Sequence, residues 1–105
     1  MKLLIVYNTH AGNGKAGKIK PLVIEHLNKR SLEFDVVETE HRWQGIEIVQ
    51  NTDISLYDGI LAAGGDGTLF EVLNGLFRNP NKNKIPIGVI PVGTGNAFAR
   101  DIDLH

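Results

Sequence analysis

The chain has 105 residues, of which 42% are hydrophobic and 22% are charged, and its formal net charge is -1. This length and composition predict one small globular domain with a single hydrophobic core. No long basic run is present, which argues against nucleic acid as the main partner, because neutralising phosphates requires clustered lysine and arginine. The absence of cysteine excludes disulfide bonds and thiolate metal sites. No apolar run approaches the roughly 18 residues of a membrane span, and the apolar N-terminus is too short for a signal peptide, so we expect a cytoplasmic protein.

The first part of the chain predicts a strand, a polar loop, a helix and a second strand. Residues 2–7 form an apolar, partly β-branched run that is typical of a central strand buried on both faces. A polar, glycine-containing loop follows over residues 8–17. Apolar residues then recur at helical spacing over residues 18–29, where we expect Pro21 to lie in the first turn because proline lacks an N–H. The second strand is predicted over residues 34–38.

The rest of the chain predicts two helices and two strands. We expect a short helix over residues 43–50, a third strand over 57–63, a third helix over 68–78 and a fourth strand over 87–90. Trp43 is predicted to lie in the core. The third helix carries an apolar stripe that is also predicted to be core, formed by Leu69, Val72, Leu73, Leu76 and Phe77.

Strands and helices therefore alternate along the whole chain. This order predicts an α/β fold of three layers, a parallel sheet with helices on both faces, which is Rossmann-like. Ligands of such sheets bind beyond the carboxyl ends of the strands. The loops at 8–17, 39–41, 64–68 and 92–96 all follow strands, so we expect them to converge on one edge of the sheet.

The most informative stretch is the third strand with the turn Gly64-Gly65-Asp66-Gly67-Thr68 and the helix that follows at once. Glycine lets a ligand approach the backbone and permits positive φ, and a helix N-terminus attracts phosphate. The alternative is a structural turn, with Asp66 as the helix N-cap or with Thr68 and Glu71 as a capping box. Capping does not explain an acidic residue among three glycines, so a ligand role is favoured.

Two glycine motifs together resemble a known family. The turn at 64–68 is followed by Glu71-Val-Leu-Asn74-Gly75, and residues 91–100 read Pro-Val-Gly-Thr-Gly-Asn-Ala-Phe-Ala-Arg. This pattern resembles the catalytic domain of diacylglycerol kinases and their sphingosine and ceramide kinase relatives. The loop at 8–15 is similar to the first nucleotide loop of that family, although position 9, where proline is familiar, and position 10 depart from it. Thr39, after the second strand, also matches.

The resemblance implies a nucleotide-binding α/β lobe and a second, β-rich lobe that holds most of the lipid site and a further acidic catalytic residue. Residues 1–105 would then be the N-terminal, ATP-binding lobe alone, and we expect the isolated chain to be inactive. The acceptor lipid would be reached at a membrane surface through the second lobe, with peripheral membrane association. Without that lobe, exposed apolar surface is expected to favour self-association.

The resemblance also implies the reaction and the residues that serve it. ATP with Mg²⁺ would donate its γ-phosphoryl group to a lipid hydroxyl. Asp66 would be the catalytic residue that organises the metal or the acceptor hydroxyl. The implied nucleotide-binding residues are Asn8, Thr9, His10, Ala11, Gly12, Thr39, Gly64, Gly65, Asp66, Gly67, Thr68, Glu71, Thr94, Gly95 and Asn96. Lys15 and Arg100 are further candidates, with a solvated surface position as the alternative. The four histidines lack the spacing of metal ligands.

Two other functions stay open at this point. NAD kinases share the Gly-Gly-Asp-Gly-Thr turn, although the second glycine motif followed by Phe98-Ala99-Arg100 disfavours them. The other is a non-catalytic module, either a flavodoxin-like or receiver-like domain or a nucleotide-binding lobe kept for partner contacts. A receiver would need an acidic pair after the first strand, where this chain has Tyr7-Asn8-Thr9.

Overall fold

A computed structural model describes residues 1–81 and 85–92 of the chain. These residues form a parallel sheet with the strand order β2-β1-β3-β4. The strands are β1 (Lys2–Asn8), β2 (Glu33–Thr39), β3 (Gly59–Gly64) and β4 (Ile87–Pro91). The helices are α1 (Lys15–Lys29), α2 (Gln44–Asn51) and α3 (Asp66–Arg78), with a one-turn 3-10 helix at Ile54–Leu56. The predicted α/β fold is confirmed.

The central strand β1 separates two hydrophobic clusters. Ile5 and Tyr7 pack in the cluster that includes α1, whereas Leu4 and Val6 pack in the cluster that includes α2 and α3. Successive residues of a strand point to opposite faces, so an unbroken apolar run buries both faces of β1. This arrangement places α1 on one face of the sheet and α2 with α3 on the other, as the predicted three layers require.

Parallel pairing brings the carboxyl ends of the strands to one edge of the sheet. Asn8 at the end of β1 pairs with Thr39 at the end of β2, and Gly64 at the end of β3 pairs with Pro91 at the end of β4. The loops that follow β1, β2 and β3 therefore start side by side. The loop predicted at 92–96 continues beyond Val92, outside the described residues.

Two helices begin earlier than the sequence predicts. Helix α1 begins at Lys15, so Pro21 lies in its second turn and not in its first. The first amides of the helix find acceptors in the preceding loop, because Ala16 and Gly17 donate to the carbonyls of Ala11 and Thr9. Helix α3 begins at Asp66, two residues before the predicted start.

The predicted core placement of Trp43, Leu73 and Phe77 is wrong. Their side chains are 51%, 46% and 74% exposed, respectively. In α3, Val72 is buried in the cluster beneath the sheet, and an ideal Cβ on Gly75 would lie 2.7 Å from α2, so Leu73 and Phe77 take the remaining side of the helix. Trp43 precedes α2 with a φ of 72° and packs edge-on against a ring of α3 at the surface.

Candidate functional site

A cleft of about 400 Å³ lies at the carboxyl edge of the sheet. It is formed by the loops after β1 and β2 and by the first turns of α3. Its lining residues are Asn8, His10, Ala11, Gly12, Thr39, His41, Arg42, Gly65, Gly67, Thr68 and Glu71. The structure thus brings together residues that the sequence predicted from three separate loops.

The loop after β1 is fixed by hydrogen bonds within the loop, from both the side chain and the backbone of Asn8. The Oδ1 atom of Asn8 accepts from the amide of His10 at 3.0 Å, and the carbonyl of Asn8 accepts from the amide of Ala11 at 3.3 Å. Gly12 and Gly14 have φ values of 63° and 89°, which glycine adopts without a steric cost. The loop therefore presents a preformed backbone surface to the cleft.

Thr9 does not line the cleft, although the sequence predicts a nucleotide contact for it. Its carbonyl accepts from the amide of Gly17 at 3.0 Å, and an ideal Cβ on Gly17 would lie 3.1 Å from that carbonyl oxygen. Thr9 therefore holds the start of α1 against the loop. Beneath it, the Tyr7 hydroxyl donates to the carbonyl of Ala16 at 2.5 Å, and burial, followed by the Glu38 charge, raises the pKa of Tyr7 to about 12.

The glycines of the turn after β3 have different roles. An ideal Cβ on Gly64 would lie 2.2 Å from Oγ1 of Thr68 and 3.4 Å from Cβ of Asn8, so this position has no room for a side chain. An ideal Cβ on Gly65 or Gly67 would meet no atom within 4 Å. Gly64 does not line the cleft but packs against Thr68 and Asn8, which do, whereas Gly65 and Gly67 leave the backbone open to a ligand.

Thr68 carries an orphaned hydroxyl next to Gly64. The residue is 4% exposed and lines the cleft, and its Oγ1 is buried without a hydrogen-bond partner in the part of the chain that the structure describes. An unsatisfied buried polar group costs about 1–3 kcal/mol. A bound oxyanion would accept a hydrogen bond from this hydroxyl, so the group fits a phosphate.

The capping roles that were the structural alternative for this turn are wrong, both for Asp66 and for Thr68 with Glu71. Gly65 is the N-cap of α3, no side chain caps the helix, and Thr68 is its third residue. Glu71 does not reach back to the helix start, because its Oε1 accepts from the amide of Gly45 at 2.8 Å. Helix α3 begins at Asp66, two residues before the predicted start at Thr68. Thr68 therefore lies inside the helix and cannot be its N-cap.

Asp66 is the exposed first residue of α3 and does not line the cleft. The helix dipole favours a carboxylate there. Within residues 1–81 and 85–92, no three histidine, aspartate or glutamate side chains are grouped to hold a metal ion. Asp66 offers one exposed carboxylate, and a magnesium ion held by one carboxylate usually takes phosphate and water as its other ligands.

Two further cleft residues have no predicted ligand role, although His41 belongs to the loop predicted at this edge of the sheet. His41 and Arg42 follow Thr39 directly, and both line the cleft. The guanidinium of Arg42 lies 4.9 Å from the centre of the Trp43 ring, a stacking geometry that orients the cation. Their position just beyond the carboxyl end of β2 was the signal that could have identified them.

Some predicted residues have no place in the cleft as described. Lys15 is the exposed first residue of α1 and is not a cleft residue. Thr94, Gly95, Asn96 and Arg100 lie outside the described residues. No helix among the described residues has the length and apolarity to cross a membrane.

The sequence model of the diacylglycerol kinase catalytic domain matches residues 2–105. The chain belongs to this family. Its match therefore favours the lipid kinase interpretation over the NAD kinases, which share the glycine turn. The non-catalytic alternative stays a prediction.

Relatives with different acceptors in their names are similarly close to this chain. It is 37% identical over 108 residues to human sphingosine kinase 2, covering 99% of this chain and 16% of that protein. It is 38% identical over 100 residues to a diacylglycerol kinase of Staphylococcus epidermidis, covering 95% of this chain and 31% of that protein. The chain thus spans less than a third of these relatives.

A solved structure has the same fold. The crystal structure of a diacylglycerol kinase from Bacillus anthracis matches 94% of this chain and 33% of its own length, with a TM-score of 0.66 and 32% identity. The likeness supports the α/β fold described above.

Proposed function

We propose that this chain is the N-terminal, nucleotide-binding lobe of a kinase that transfers the γ-phosphoryl group of ATP to a lipid hydroxyl. Family membership supports lipid phosphorylation in general, and the family implies ATP as the donor. The observation that carries the proposal is the cleft, which is lined by open glycine backbone, by the threonine with the orphaned hydroxyl and by an arginine.

The triphosphate of ATP would lie against the N-terminus of α3. The first N–H groups of a helix have no intrahelical acceptor, and the positive end of the dipole favours an anion. Gly65 and Gly67 expose this backbone, and the Thr68 hydroxyl donates to a phosphate oxygen. Arg42 supplies a cation that can form two parallel hydrogen bonds with phosphate.

Asp66 is proposed to organise the reacting groups at the rim of the cleft. Its carboxylate would bind Mg²⁺ or orient the acceptor hydroxyl. Magnesium, when bound, neutralises charge on the phosphate oxygens. The loop after β1, whose conformation is set by Asn8 and Gly12, would contribute further contacts to the bound nucleotide.

The acceptor lipid would bind mainly to a second, β-rich lobe, with the enzyme acting at the cytoplasmic surface of a membrane. Sphingoid bases and diacylglycerol are both compatible with the relatives, because their names include kinases of each. We propose that the isolated chain binds ATP without transferring phosphate.

The test is transfer of labelled γ-phosphate to lipid in mixed micelles. The chain would be fused to the remaining part of the Staphylococcus epidermidis relative, with sphingosine, diacylglycerol and NAD as alternative acceptors. We expect transfer to one of the lipids, and a loss of more than about a hundredfold in Asp66→Asn, since this change keeps the shape and removes the charge. Transfer to NAD, or full turnover in Asp66→Asn, would contradict the proposal.

A further inference from the structure

Glu71 is the only acidic residue that lines the cleft in the described part of the chain, and its carboxylate accepts a hydrogen bond from another helix. It lies one turn after Thr68 on α3, lines the cleft and is half-buried. Its Oε1 accepts from the amide of Gly45 at 2.8 Å, across 26 residues of sequence. The carboxylate is therefore already committed to the backbone of another element.

The amide of Gly45 belongs to the first turn of α2, where N–H groups lack an intrahelical acceptor. Helix α2 has no side-chain cap of its own, because Trp43 occupies the N-cap position with a left-handed backbone. Glu71 supplies the missing acceptor from the neighbouring helix and places a negative charge at the positive end of the α2 dipole. This is a capping contact made between two helices.

Gly45 is shaped for this contact. An ideal Cβ at Gly45 would lie 2.8 Å from Oε1 and 3.0 Å from Cβ of Glu71, so a larger residue would displace the carboxylate. The close approach of α2 and α3 continues at Gly75, whose ideal Cβ would lie 2.7 Å from the carbonyl oxygen of Ile46. At these two glycines the backbones of α2 and α3 approach each other too closely for a side chain to fit between them, which fixes the start of α2 relative to α3.

The segment that precedes this anchored turn enters the cleft. Thr39 and Arg42 line the cleft, and Arg42 lies three residues before Gly45. Because α2 starts at Gln44, moving its first turn would move Arg42 with it. The bond between Glu71 and Gly45 is therefore one of the contacts that set the position of Arg42 relative to the N-terminus of α3.

We propose that Glu71 is a positioning residue, which holds Arg42 in place for the polyphosphate through the amide of Gly45. The proposal rests on the function proposed above. This role requires an oxygen at the Oε1 position that can accept the hydrogen bond from the Gly45 amide, and it does not require the negative charge. A role as a direct ligand of magnesium would instead require the negative charge.

Glu71→Gln and Glu71→Ala separate these two roles in the 105-residue chain. Glutamine keeps an Oε1 acceptor and removes the charge, whereas alanine removes both. We expect Gly45 amide exchange to stay slow in Glu71→Gln and to become at least tenfold faster in Glu71→Ala. The dissociation constant for ATP should change by less than about threefold in Glu71→Gln and rise about tenfold in Glu71→Ala.

Asn79→Ala is the matched control, because Asn79 holds the opposite end of α2. Its Nδ2 donates to the carbonyls of Val49 and Thr52, neither of which lines the cleft. This variant should unfold more easily but bind ATP as the unchanged chain does at a temperature where both are folded. Equal weakening of ATP binding in Asn79→Ala and Glu71→Ala would overturn the positioning role, because stability alone would then explain it.

The two proposals fail in different ways. An equal loss of ATP affinity in Glu71→Gln and Glu71→Ala would overturn the positioning role and favour a charge-dependent one. Unchanged exchange of the Gly45 amide in Glu71→Ala would also overturn it. A chain that binds no ATP while Gly45 exchange responds as expected would contradict the proposed nucleotide-binding function, with the structural contact intact.

Discussion

The two ends of α2 are held by the same kind of contact and differ in what surrounds them. At the N-terminal end, Glu71 accepts from the amide of Gly45 beside the cleft. At the C-terminal end, Asn79 donates to the carbonyls of Val49 at 2.8 Å and Thr52 at 2.9 Å, and it is 1% exposed. Each contact satisfies backbone groups that a helix end leaves unpaired.

The difference lies in the burial of the two ends. The Asn79 end is enclosed, so its hydrogen bonds contribute to the stability of the fold. The Glu71 end opens into the cleft and is followed backwards along the chain by Arg42 and Thr39. A helix of eight residues, about 12 Å long, thus joins a stabilising end to a ligand-binding end. Substitutions at the two ends should therefore separate stability from ATP affinity.

The largest effect is expected from Asn79→Ala. The change removes the Asn79 hydrogen bonds to three carbonyls at the end of α2 and leaves Val49 only the bond from the Thr52 amide, so it should lower the free energy of unfolding by about 3 kcal/mol. Urea denaturation monitored by circular dichroism measures this loss. If the free energy of unfolding fell by less than about 1 kcal/mol, the hydrogen bonds of Asn79 would not be a main source of stability at the buried end of α2.

Arg42→Ala should act at the other end, on binding and not on stability. Loss of a cation that faces the phosphates should weaken ATP binding by about thirtyfold. Arg42→Lys is the control, and it should recover part of the affinity because it keeps the charge and loses the planar donor pair. Isothermal titration calorimetry measures both, and an Arg42→Ala chain with unchanged affinity would place the phosphates elsewhere.

Thr68→Val should have a smaller effect with opposite signs on the two quantities. Valine has nearly the same shape and lacks the orphaned hydroxyl, so the unfolding free energy should stay constant or rise by up to about 1 kcal/mol. ATP affinity should fall about fivefold through the lost phosphate hydrogen bond. A fall in stability would mean that the hydroxyl has a protein partner and is not held for a ligand.

The smallest effect is expected at Tyr57, away from both ends of α2. Its hydroxyl donates to Asp35 at 2.6 Å, and this bond, followed by the nearby Lys2, lowers the pKa of the Asp35 carboxyl. A lowered pKa in the folded state gives stability that is present at neutral pH and is lost as the pH falls below the ordinary range of an aspartate. In Tyr57→Phe, the urea midpoint should therefore fall less between pH 7 and pH 3 than in the unchanged chain. ATP binding at pH 7 should not change.

Most of the fold could be predicted from the sequence because it depends on local patterns. Apolar runs identify the strands, and the order of elements implies a parallel sheet with its loops at one edge. Periodicity could not give the width of the buried face of α3, so Leu73 and Phe77 were placed in the core although they are exposed. The core placement predicted for Trp43 fails for a related reason. Its aromatic character does not reveal that its backbone has a positive φ, which directs the ring to the surface.

The candidate site was predictable where it depends on glycine and was not where it depends on distant pairing. Gly65 and Gly67 are open to the cleft, as a phosphate-binding turn requires. The bond between Glu71 and Gly45 joins residues 26 positions apart, and no local pattern indicates it. The sequence therefore offers only a local cap as the structural role of Glu71, whereas the position of Arg42 just beyond the carboxyl end of β2 is a signal that the sequence does carry.

The central claim is that the cleft at the carboxyl edge of the sheet binds the phosphates of ATP. A titration of the isotope-labelled chain with magnesium and ATP, followed by amide NMR shifts, tests it most directly. We predict the largest shifts at Gly65, Gly67, Thr68 and Arg42, with smaller shifts in the loop after Asn8. Shifts concentrated on the outer surface of α1, with the amides of the glycine turn unchanged, would contradict the account.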